Sequence, residues 1–164
     1  MKIKNRHFIK TGDIKKFQTK IEQYYPNSQN LFGKDCKMES GHLEDGTTFY
    51  FIDGELSFIE KDDHIFPFLK LLLKNLIQLP KITVDMGAVP YIAKGADVML
   101  PGIVATDQSI KKDDYIVIVD EKHNKPLAIG IVLVDKIEPS KEEKGRVIKN
   151  IHYVGDKLWE FVKN

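Results

Sequence analysis

The sequence is short of cysteine, of excess charge of either sign and of long apolar runs. Cys36 is the only cysteine among 164 residues, which excludes an intramolecular disulfide and a paired-cysteine zinc knuckle. A chain that does not depend on disulfides fits a reducing, cytoplasmic setting. The formal net charge is +1, so bulk electrostatic attraction to nucleic acid or an anionic membrane is not expected, although local basic patches can exist.

No segment has the apolar length of a membrane span or a secretion signal. The longest apolar-rich run covers residues 65–79 and is interrupted by Lys70 and Lys74. A transmembrane helix needs about 20 predominantly apolar residues. The first ten residues, MKIKNRHFIK, lack the apolar core of a signal peptide. We therefore expect a cytoplasmic protein that does not contact the membrane.

Motifs for catalysis, cofactors and metals are also missing. Neither a GxSxG nucleophile motif nor a GxxxxGK[ST] phosphate loop occurs. The five histidines have no histidine partner three or four residues away. The acidic pairs at 62–63, 113–114 and 142–143 are adjacent in sequence, which is typical of helix caps and solvated loops. Cys36 fits a small buried side chain better than a nucleophile. The sequence thus predicts no enzyme activity, no cofactor and no metal site.

The first half of the chain mixes helix and strand. A strand is indicated near residues 3–10, and apolar spacing from Ile14 to Tyr25 predicts an amphipathic helix that Pro26 ends. Both elements are short enough to belong to a small α+β domain.

Two further features complete this first half. Asp53-Gly54 separates two β-rich runs, and this pair favours the tight turn of a hairpin. The Leu-rich segment after Asp62-Asp63 predicts an amphipathic helix over residues 65–79, with Pro67 in its first turn.

After Pro80 the sequence changes to short β-branched segments rich in glycine and proline. A short helix is predicted over residues 87–94, with Pro90 in its first turn and Gly95 closing it in a left-handed conformation. An edge or bulged strand at 98–106 follows, because it contains a Pro-Gly pair.

The remaining segments are mostly strands. Two nearly continuous apolar strands are predicted at 114–121 and 127–135, a last strand at 146–153 and a short helix at 156–162. Continuous apolarity suggests that both strand faces are covered, as in a small barrel. The predicted fold class is therefore α+β, with an α+β half followed by a mostly-β half.

Basic residues cluster modestly near the end of the chain, at Lys144, Arg146 and Lys149, with His152 close by. A solvated loop and strand face explains this cluster as well as RNA binding does, because isolated surface cations are common.

The most specific pattern is VDMGAVPYIAKGADVMLPGI, residues 84–103. After a short strand and Asp85, the dipeptides Gly-Ala, Gly-Ala and Pro-Gly begin at 87, 95 and 101, followed by the strands DYIVIVDE and LAIGIVLV. This pattern resembles the start of a PUA domain, the pseudouridine-synthase and archaeosine-transglycosylase RNA-binding module. The segments LLLKNLIQLPKITVDMGA, NIHYVGDKLWEF and FIDGELSFIE are similar to the malignant T-cell-amplified sequence family, whose members carry an extra domain before the PUA domain.

This resemblance implies two domains, an N-terminal α+β (pre-PUA) domain at residues 1–79 and a PUA domain at 80–164. The PUA domain is expected to be a small mixed β-barrel with short helices. The resemblance also implies an RNA face formed by the first PUA helix, the glycine loop and the last strand. On this sequence that face comprises Lys94, Gly95, Ala96, Asp97, Arg146, Lys149 and His152. Glycine lets a backbone approach a sugar-phosphate closely, and cations supply attraction to phosphates.

The family resemblance further implies a non-catalytic role in translation. Its members engage the small ribosomal subunit and handle tRNA, so the expected partners are rRNA, tRNA or both, and the small ribosomal subunit. Eukaryotic members have a protein partner on the N-terminal domain, which makes this domain a candidate docking site. Two alternatives remain open: an accessory RNA-binding subunit of a tRNA or rRNA modification system, and a protein-interaction module that uses the Leu-rich helix and the hairpin.

Overall fold

The computed structural model describes residues 1–163, and internal contacts divide the chain into two compact units, Met1–Gln78 and the part that begins at Leu79. Asn164, the last residue of the predicted second domain, lies outside the described residues. Helix and strand are mixed in the first unit and strands dominate the second, which confirms the predicted α+β fold class. Over the described part of the chain, every helix falls short of the length or the apolar character required to cross a bilayer.

The first unit is an antiparallel five-stranded sheet with one long and one short helix. Its strands pair in the order β1-β2-β3-β4-β5. The elements are β1 (Lys4–Phe8), α1 (Thr11–Tyr24), β2 (Met38–His42), β3 (Thr48–Ile52), β4 (Glu55–Lys61), β5 (His64–Pro67) and α2 (Leu69–Leu73), with a 3-10 turn at Gln29–Leu31.

Aromatic side chains hold α1 against this sheet. The Phe17 ring lies 4.4 Å from the Tyr50 ring and 5.9 Å from the Phe58 ring, measured between centroids. Tyr25 is buried and donates its hydroxyl to the Ile65 carbonyl oxygen at 2.7 Å. A fully buried side chain of this size, such as Phe58, contributes about 1.5–3 kcal/mol through the hydrophobic effect. Phe17 and Tyr25 thus mark the face of α1 that contacts the sheet.

The predicted hairpin at Asp53-Gly54 is confirmed. Both residues have positive φ, 50° and 86°, and the flanking Ile52 and Glu55 face each other across the β3–β4 pair. This is the backbone of a two-residue turn whose twist matches that of the strands.

The predicted helix over residues 65–79 is wrong in its first part. Asp62 and Asp63 both have positive φ, 50° and 63°, and form a second hairpin turn, so the next four residues pair with β4 as β5. β5 is one of the two edge strands of the sheet. Pro67 is tolerated there because an edge strand can lack one N–H donor. The helix that follows, α2, is only five residues long.

The second unit is a six-stranded mixed sheet with two short helices. The strands pair in the order β7-β11-β10-β9-β6-β8, and β6 with β9 is the parallel pair. The elements are β6 (Lys81–Val84), α3 (Val89–Ile92), β7 (Val98–Met99), β8 (Ile103–Thr106), β9 (Tyr115–Asp120), β10 (Pro126–Val132), β11 (Arg146–Tyr153) and α4 (Lys157–Lys163), with a 3-10 turn at Leu100–Gly102.

This sheet curls into the small mixed barrel that was expected. β7 and β8 lie at opposite edges of the sheet, although only Leu100–Gly102 separates them in sequence. A three-residue connection spans roughly 14 Å at most, so the two edges must approach each other. Aliphatic side chains fill the core, including Ile82, Val84, Ile116, Ile118, Val132 and Ile148.

The single strand predicted at 98–106 is therefore two strands. Pro101 lies in the intervening 3-10 turn. Because proline has no N–H, it cannot continue a ladder of hydrogen bonds in the middle of a sheet. The chain leaves one edge of the sheet at this turn and joins the other.

Candidate nucleic-acid interface

The predicted interface is centred on the loop that follows α3. The helix begins at Val89, two residues later than predicted, and Pro90 lies in its first turn, as expected. Gly95 then has a φ of +96° and closes the helix in the left-handed region, as predicted. A Cβ atom at Gly95 would lie 2.8 Å from the Tyr153 ring. Glycine is therefore needed there for its torsion and for its close approach to β11.

Asn150 of β11 ties this loop to the sheet. Its side-chain amide donates to the carbonyl oxygens of Ile92 at 3.2 Å and Ala96 at 3.1 Å, and its backbone N–H donates to Asp97 Oδ1 at 2.9 Å. The other Asp97 oxygen accepts from Arg146 Nη1 at 3.1 Å. These bonds hold the end of α3, the loop and β11 in one arrangement.

Asp85 and Lys141 fix the start of α3. Asp85 Oδ1 accepts the Ala88 N–H at 2.9 Å, and its Oδ2 accepts from Lys141 Nζ at 3.0 Å. Lys141 also donates to the Pro101 carbonyl oxygen at 2.8 Å. The Lys141 hydrogen bond, aided by the Ala88 N–H, lowers the pKa of Asp85 below its ordinary value, and partial burial opposes this shift. The Asp85 carboxylate is thus ionised at neutral pH. It binds Ala88 at the start of α3 directly, and it is linked to Pro101 through Lys141.

An open cleft of about 370 Å³ lies between these anchors, and its walls come from residues 85–102. Tyr91 on α3 and Met99 on β7 are 70% and 49% exposed beside it. An aromatic ring with most of its surface in solvent can stack on an unpaired base. Asp85 and Asp97 contribute carboxylates to the lining, which can accept hydrogen bonds from amino groups of bases.

The predicted cations Lys94, Arg146 and Lys149 have different electrostatic environments. Arg146 has a side chain that is 60% exposed and already paired with Asp97. Lys94 in the loop and Lys149 on β11 are exposed, and neither forms an ion pair among residues 1–163. The two lysines therefore offer their full charge to phosphates, whereas the charge of Arg146 is partly neutralised.

His152 does not belong to this surface, and its predicted placement on the RNA face is wrong. Its side chain is fully buried, and its Nδ1 lies 2.6 Å from Asp156 Oδ2. Asp156 also accepts the backbone N–H groups of Tyr153 and Trp159 at 2.9 and 2.7 Å, so it caps α4 and covers His152. The histidine is part of the junction between β11 and α4.

Sequence reasoning missed three residues of the site: Tyr91, Lys141 and Asn150. Tyr91 carried a usable signal, because it directly precedes the buried Ile92 in a helix and so had to point elsewhere. Asn150 and Lys141 carried none, because their partners lie more than 35 residues away in the sequence.

The part of the chain that the structure describes offers no group of three or more metal-ligating side chains. Burial, together with the nearby charge of Asp53, raises the pKa of the Cys36 thiol. An activated cysteine shows the opposite shift. Cys36 therefore does not have the environment of a nucleophile.

Comparison with known proteins identifies both units. Residues 80–154 match the PUA domain family, and residues 5–75 match the family described as "Domain of unknown function (DUF1947)". An uncharacterized protein of Methanocaldococcus jannaschii is 40% identical over 161 residues, which cover 98% of this chain and 99% of the relative. Translation machinery-associated protein 20 of Schizosaccharomyces pombe is 31% identical over 169 residues, which cover 98% and 93%.

A crystal structure of a hypothetical protein from Pyrococcus horikoshii has a TM-score of 0.79 and 32% identity, covering 96% of this chain and 99% of that chain. Fold and sequence together define a PUA-domain protein with an additional N-terminal domain. The chain belongs to the family of translation machinery-associated protein 20. It is also similar, over most of its length, to malignant T-cell-amplified sequence 1. The family expected from the sequence is thus confirmed.

Proposed function

We propose that this protein is a non-catalytic, RNA-binding translation factor that acts in the cytoplasm and contacts the small ribosomal subunit, tRNA or both. The observation that carries the proposal is the similarity to translation machinery-associated protein 20 across both units rather than over the PUA domain alone. Relatives that share the whole arrangement of domains are more informative about function than relatives that share one module.

The geometry of the second unit supports RNA as the ligand. Lys94 in the glycine loop and Lys149 on β11 are exposed cations, and the loop and the strand meet where Asn150 binds Ala96. Tyr91 exposes a ring beside the cleft. Cations that attract phosphates and an aromatic ring that stacks on a base are the two components of single-stranded RNA recognition.

The glycine loop at residues 94–97 is ordered before any RNA binds. Asn150 binds the carbonyl oxygens of Ile92 at the end of α3 and of Ala96 in the loop, and Gly95 packs on Tyr153. A surface that is already ordered loses little conformational entropy when RNA binds. We propose Lys94, Gly95, Ala96, Arg146 and Lys149 as contacts, joined by Tyr91, and we propose that Asp97 restrains Arg146 through their ion pair rather than contacting RNA itself.

We also propose that the boundary between the two domains lies at residue 79. We further propose that a protein partner docks on the N-terminal domain. The match of residues 5–75 and 80–154 to two separate families supports the boundary. A partner on the first unit stays a prediction from the family resemblance.

Co-sedimentation with small ribosomal subunits at moderate salt, combined with filter binding of tRNA, tests the proposal. We expect the wild-type chain to bind at least one of them, and Lys94→Glu with Lys149→Glu to weaken that binding. Lys112→Glu with Lys122→Glu is the matched control, because both lysines are exposed in the same unit outside the loop. Absence of wild-type binding to both ligands would refute the proposal, as would recovery of an RNA-modifying enzyme instead of ribosomal components from native extract.

A further inference from the structure

Charge is strongly segregated within the first unit, a feature that the interface described above does not use. Residues 1–37 contain nine basic and three acidic side chains, a net charge of +6, whereas residues 38–63 contain one basic and eight acidic side chains, a net charge of −7. The overall charge of +1 conceals this contrast. A local excess of this size creates a potential that the net charge of the chain does not reveal.

The structure gathers part of the basic segment around one cleft of about 340 Å³. The walls come from the end of β1, the first turns of α1 and the loop before β2. Lys15, Lys34 and Lys37 line it together with Asp35, and Asp53 lies beside it, where its Oδ1 accepts the Lys37 backbone N–H at 2.9 Å. The volume is within the range of about 300–1,000 Å³ that is usual for ligand pockets.

These three lysines differ from Lys4, Arg6 and Lys20 of the same segment in having no acidic partner. Lys4 pairs with Glu44, Arg6 pairs with Glu39 at 2.8 Å, and Lys20 pairs with Glu60 at 3.7 Å. Over residues 1–163, Lys15, Lys34 and Lys37 form no ion pair. Their charges are therefore available to an anionic ligand.

Phe8, the last residue of β1, lies at the same cleft and is 66% exposed. The first turn of α1 faces the cleft through Thr11, and this helix has no side-chain N-cap. The positive end of the helix dipole adds to the attraction for phosphate, and Asp13 in the first turn offsets part of it. An exposed aromatic ring among unpaired cations matches the way in which single-stranded nucleic acid is bound, by stacking and by phosphate contacts.

We propose that this cleft is a second RNA-binding site, which takes one stacked nucleotide and adjacent phosphates of a single-stranded segment. Phe8 stacks on the base, and Lys15, Lys34 and Lys37 contact phosphates. An acidic peptide would also satisfy the lysines, but it would leave the Phe8 ring without a stacking partner. The site does not depend on the interface proposed in the second unit.

Cys36 provides a direct readout, because it lines the cleft and is the only cysteine of the chain. The experiment follows the alkylation rate of Cys36 by mass spectrometry at mildly alkaline pH, with and without a 12-residue oligouridylate. At an oligomer concentration of about ten times the Kd, we expect the rate to fall about ten-fold. The same protection is expected in the Lys94→Glu and Arg146→Glu double variant, which separates this site from the proposed interface.

Two variants test the chemistry. Replacing Lys15, Lys34 and Lys37 by Gln should abolish protection and reduce the salt dependence of oligouridylate binding by a slope of about 2, because three contacts each contribute about 0.7. Phe8→Ala should weaken binding about 5-fold or more, whereas Phe8→Tyr should retain it. Replacing Lys61, Lys70 and Lys74 by Gln is the control, since these exposed lysines of the same unit lie outside the cleft.

Unchanged alkylation of Cys36 by saturating oligouridylate would overturn the proposal. Equal protection by polyglutamate would also overturn it, because it would identify an acidic protein segment as the ligand. Loss of protection in the Lys94 and Arg146 variant would show that the cleft has no RNA site of its own and would again overturn it.

Discussion

Arg146 and Asp97 form an ion pair of 3.1 Å between Nη1 and Oδ2, which joins the last strand of the barrel to the glycine loop. Both residues were predicted to contact RNA. The pair shows that part of the charge of Arg146 is satisfied within the protein, so Asp97 limits how strongly Arg146 can attract a phosphate.

Asp97→Asn should therefore tighten RNA binding. Asparagine keeps an oxygen that accepts the Asn150 N–H, which is now bound at 2.9 Å, but it releases Arg146. Because an exposed ion pair contributes roughly 0.2–1 kcal/mol, we expect affinity at low salt to rise about 2- to 5-fold. Fluorescence anisotropy with labelled tRNA measures the change. Weaker binding would instead indicate that the carboxylate of Asp97 contacts RNA directly.

Gly95→Ala should destabilise the second unit. The new methyl group would meet the Tyr153 ring at 2.8 Å, and alanine would have to adopt a φ of +96°. We expect a loss of about 1–3 kcal/mol in the free energy of unfolding, measured with urea. Adding Tyr153→Leu should restore part of the lost stability, because it removes the clash with the new methyl group. The torsional strain at residue 95 would stay. Gly12→Ala is the control, because nothing lies within 4 Å of its added Cβ in α1. An equal loss in both variants would contradict this explanation.

Asn150→Ala should loosen the glycine loop. It removes the donors to Ile92 and Ala96, at 3.2 and 3.1 Å, and should cost about 1–3 kcal/mol. Hydrogen exchange of the amides in residues 93–97 should accelerate. Asn150→Asp should destabilise the loop more than Asn150→Ala does, since a carboxylate would face two carbonyl oxygens. Unaltered exchange in both variants would show that the loop holds its conformation without Asn150.

Asp85 should contribute to the acid sensitivity of the second unit. Its folded-state pKa is lowered, chiefly by the Lys141 hydrogen bond, so its ionised form stabilises the fold. This contribution is fully present above the unfolded-state pKa of about 3.9 and is lost as pH falls through the folded-state value. Thermal melts from pH 6 to about pH 2 should therefore show a shallower decline in Asp85→Asn than in the wild type. Parallel curves would exclude a role for Asp85.

Features set by local chemistry were predictable from the sequence. Asp53-Gly54 specifies a two-residue turn because both positions need positive φ, and the structure has this turn. The last strand has the predicted bounds of residues 146–153, because its β-branched residues lie between a glycine and the next turn. Gly95 was placed correctly because helices commonly end on a left-handed residue.

The second hairpin could not be predicted in the same way. Asp62-Asp63 contains no glycine, and non-glycine residues adopt positive φ only when surrounding structure compensates for the cost. The apolar residues after it fit helical spacing equally well. Pairing of β5 with β4, rather than any property of the segment itself, decided the outcome.

The candidate site was predicted only in outline. The loop at residues 94–97 and the strand at 146–153 do meet, through the Asp97–Arg146 and Ala96–Asn150 contacts. His152 was misplaced because Asp156, four residues later, covers it. Tyr91 was overlooked although it precedes Ile92 in the predicted helix, and adjacent helical positions face different sides. The RNA contacts of these residues stay predictions.

The most direct test of RNA binding by the second unit is the salt dependence of affinity for tRNA and for small-subunit RNA in the Lys94→Glu, Arg146→Glu double variant. Loss of two phosphate contacts should weaken binding and lower the slope of log K against log salt by about 1–2. The Lys112→Glu, Lys122→Glu variant, with the same net charge, should match the wild type much more closely. An affinity and slope indistinguishable from wild type in the first variant would contradict the account.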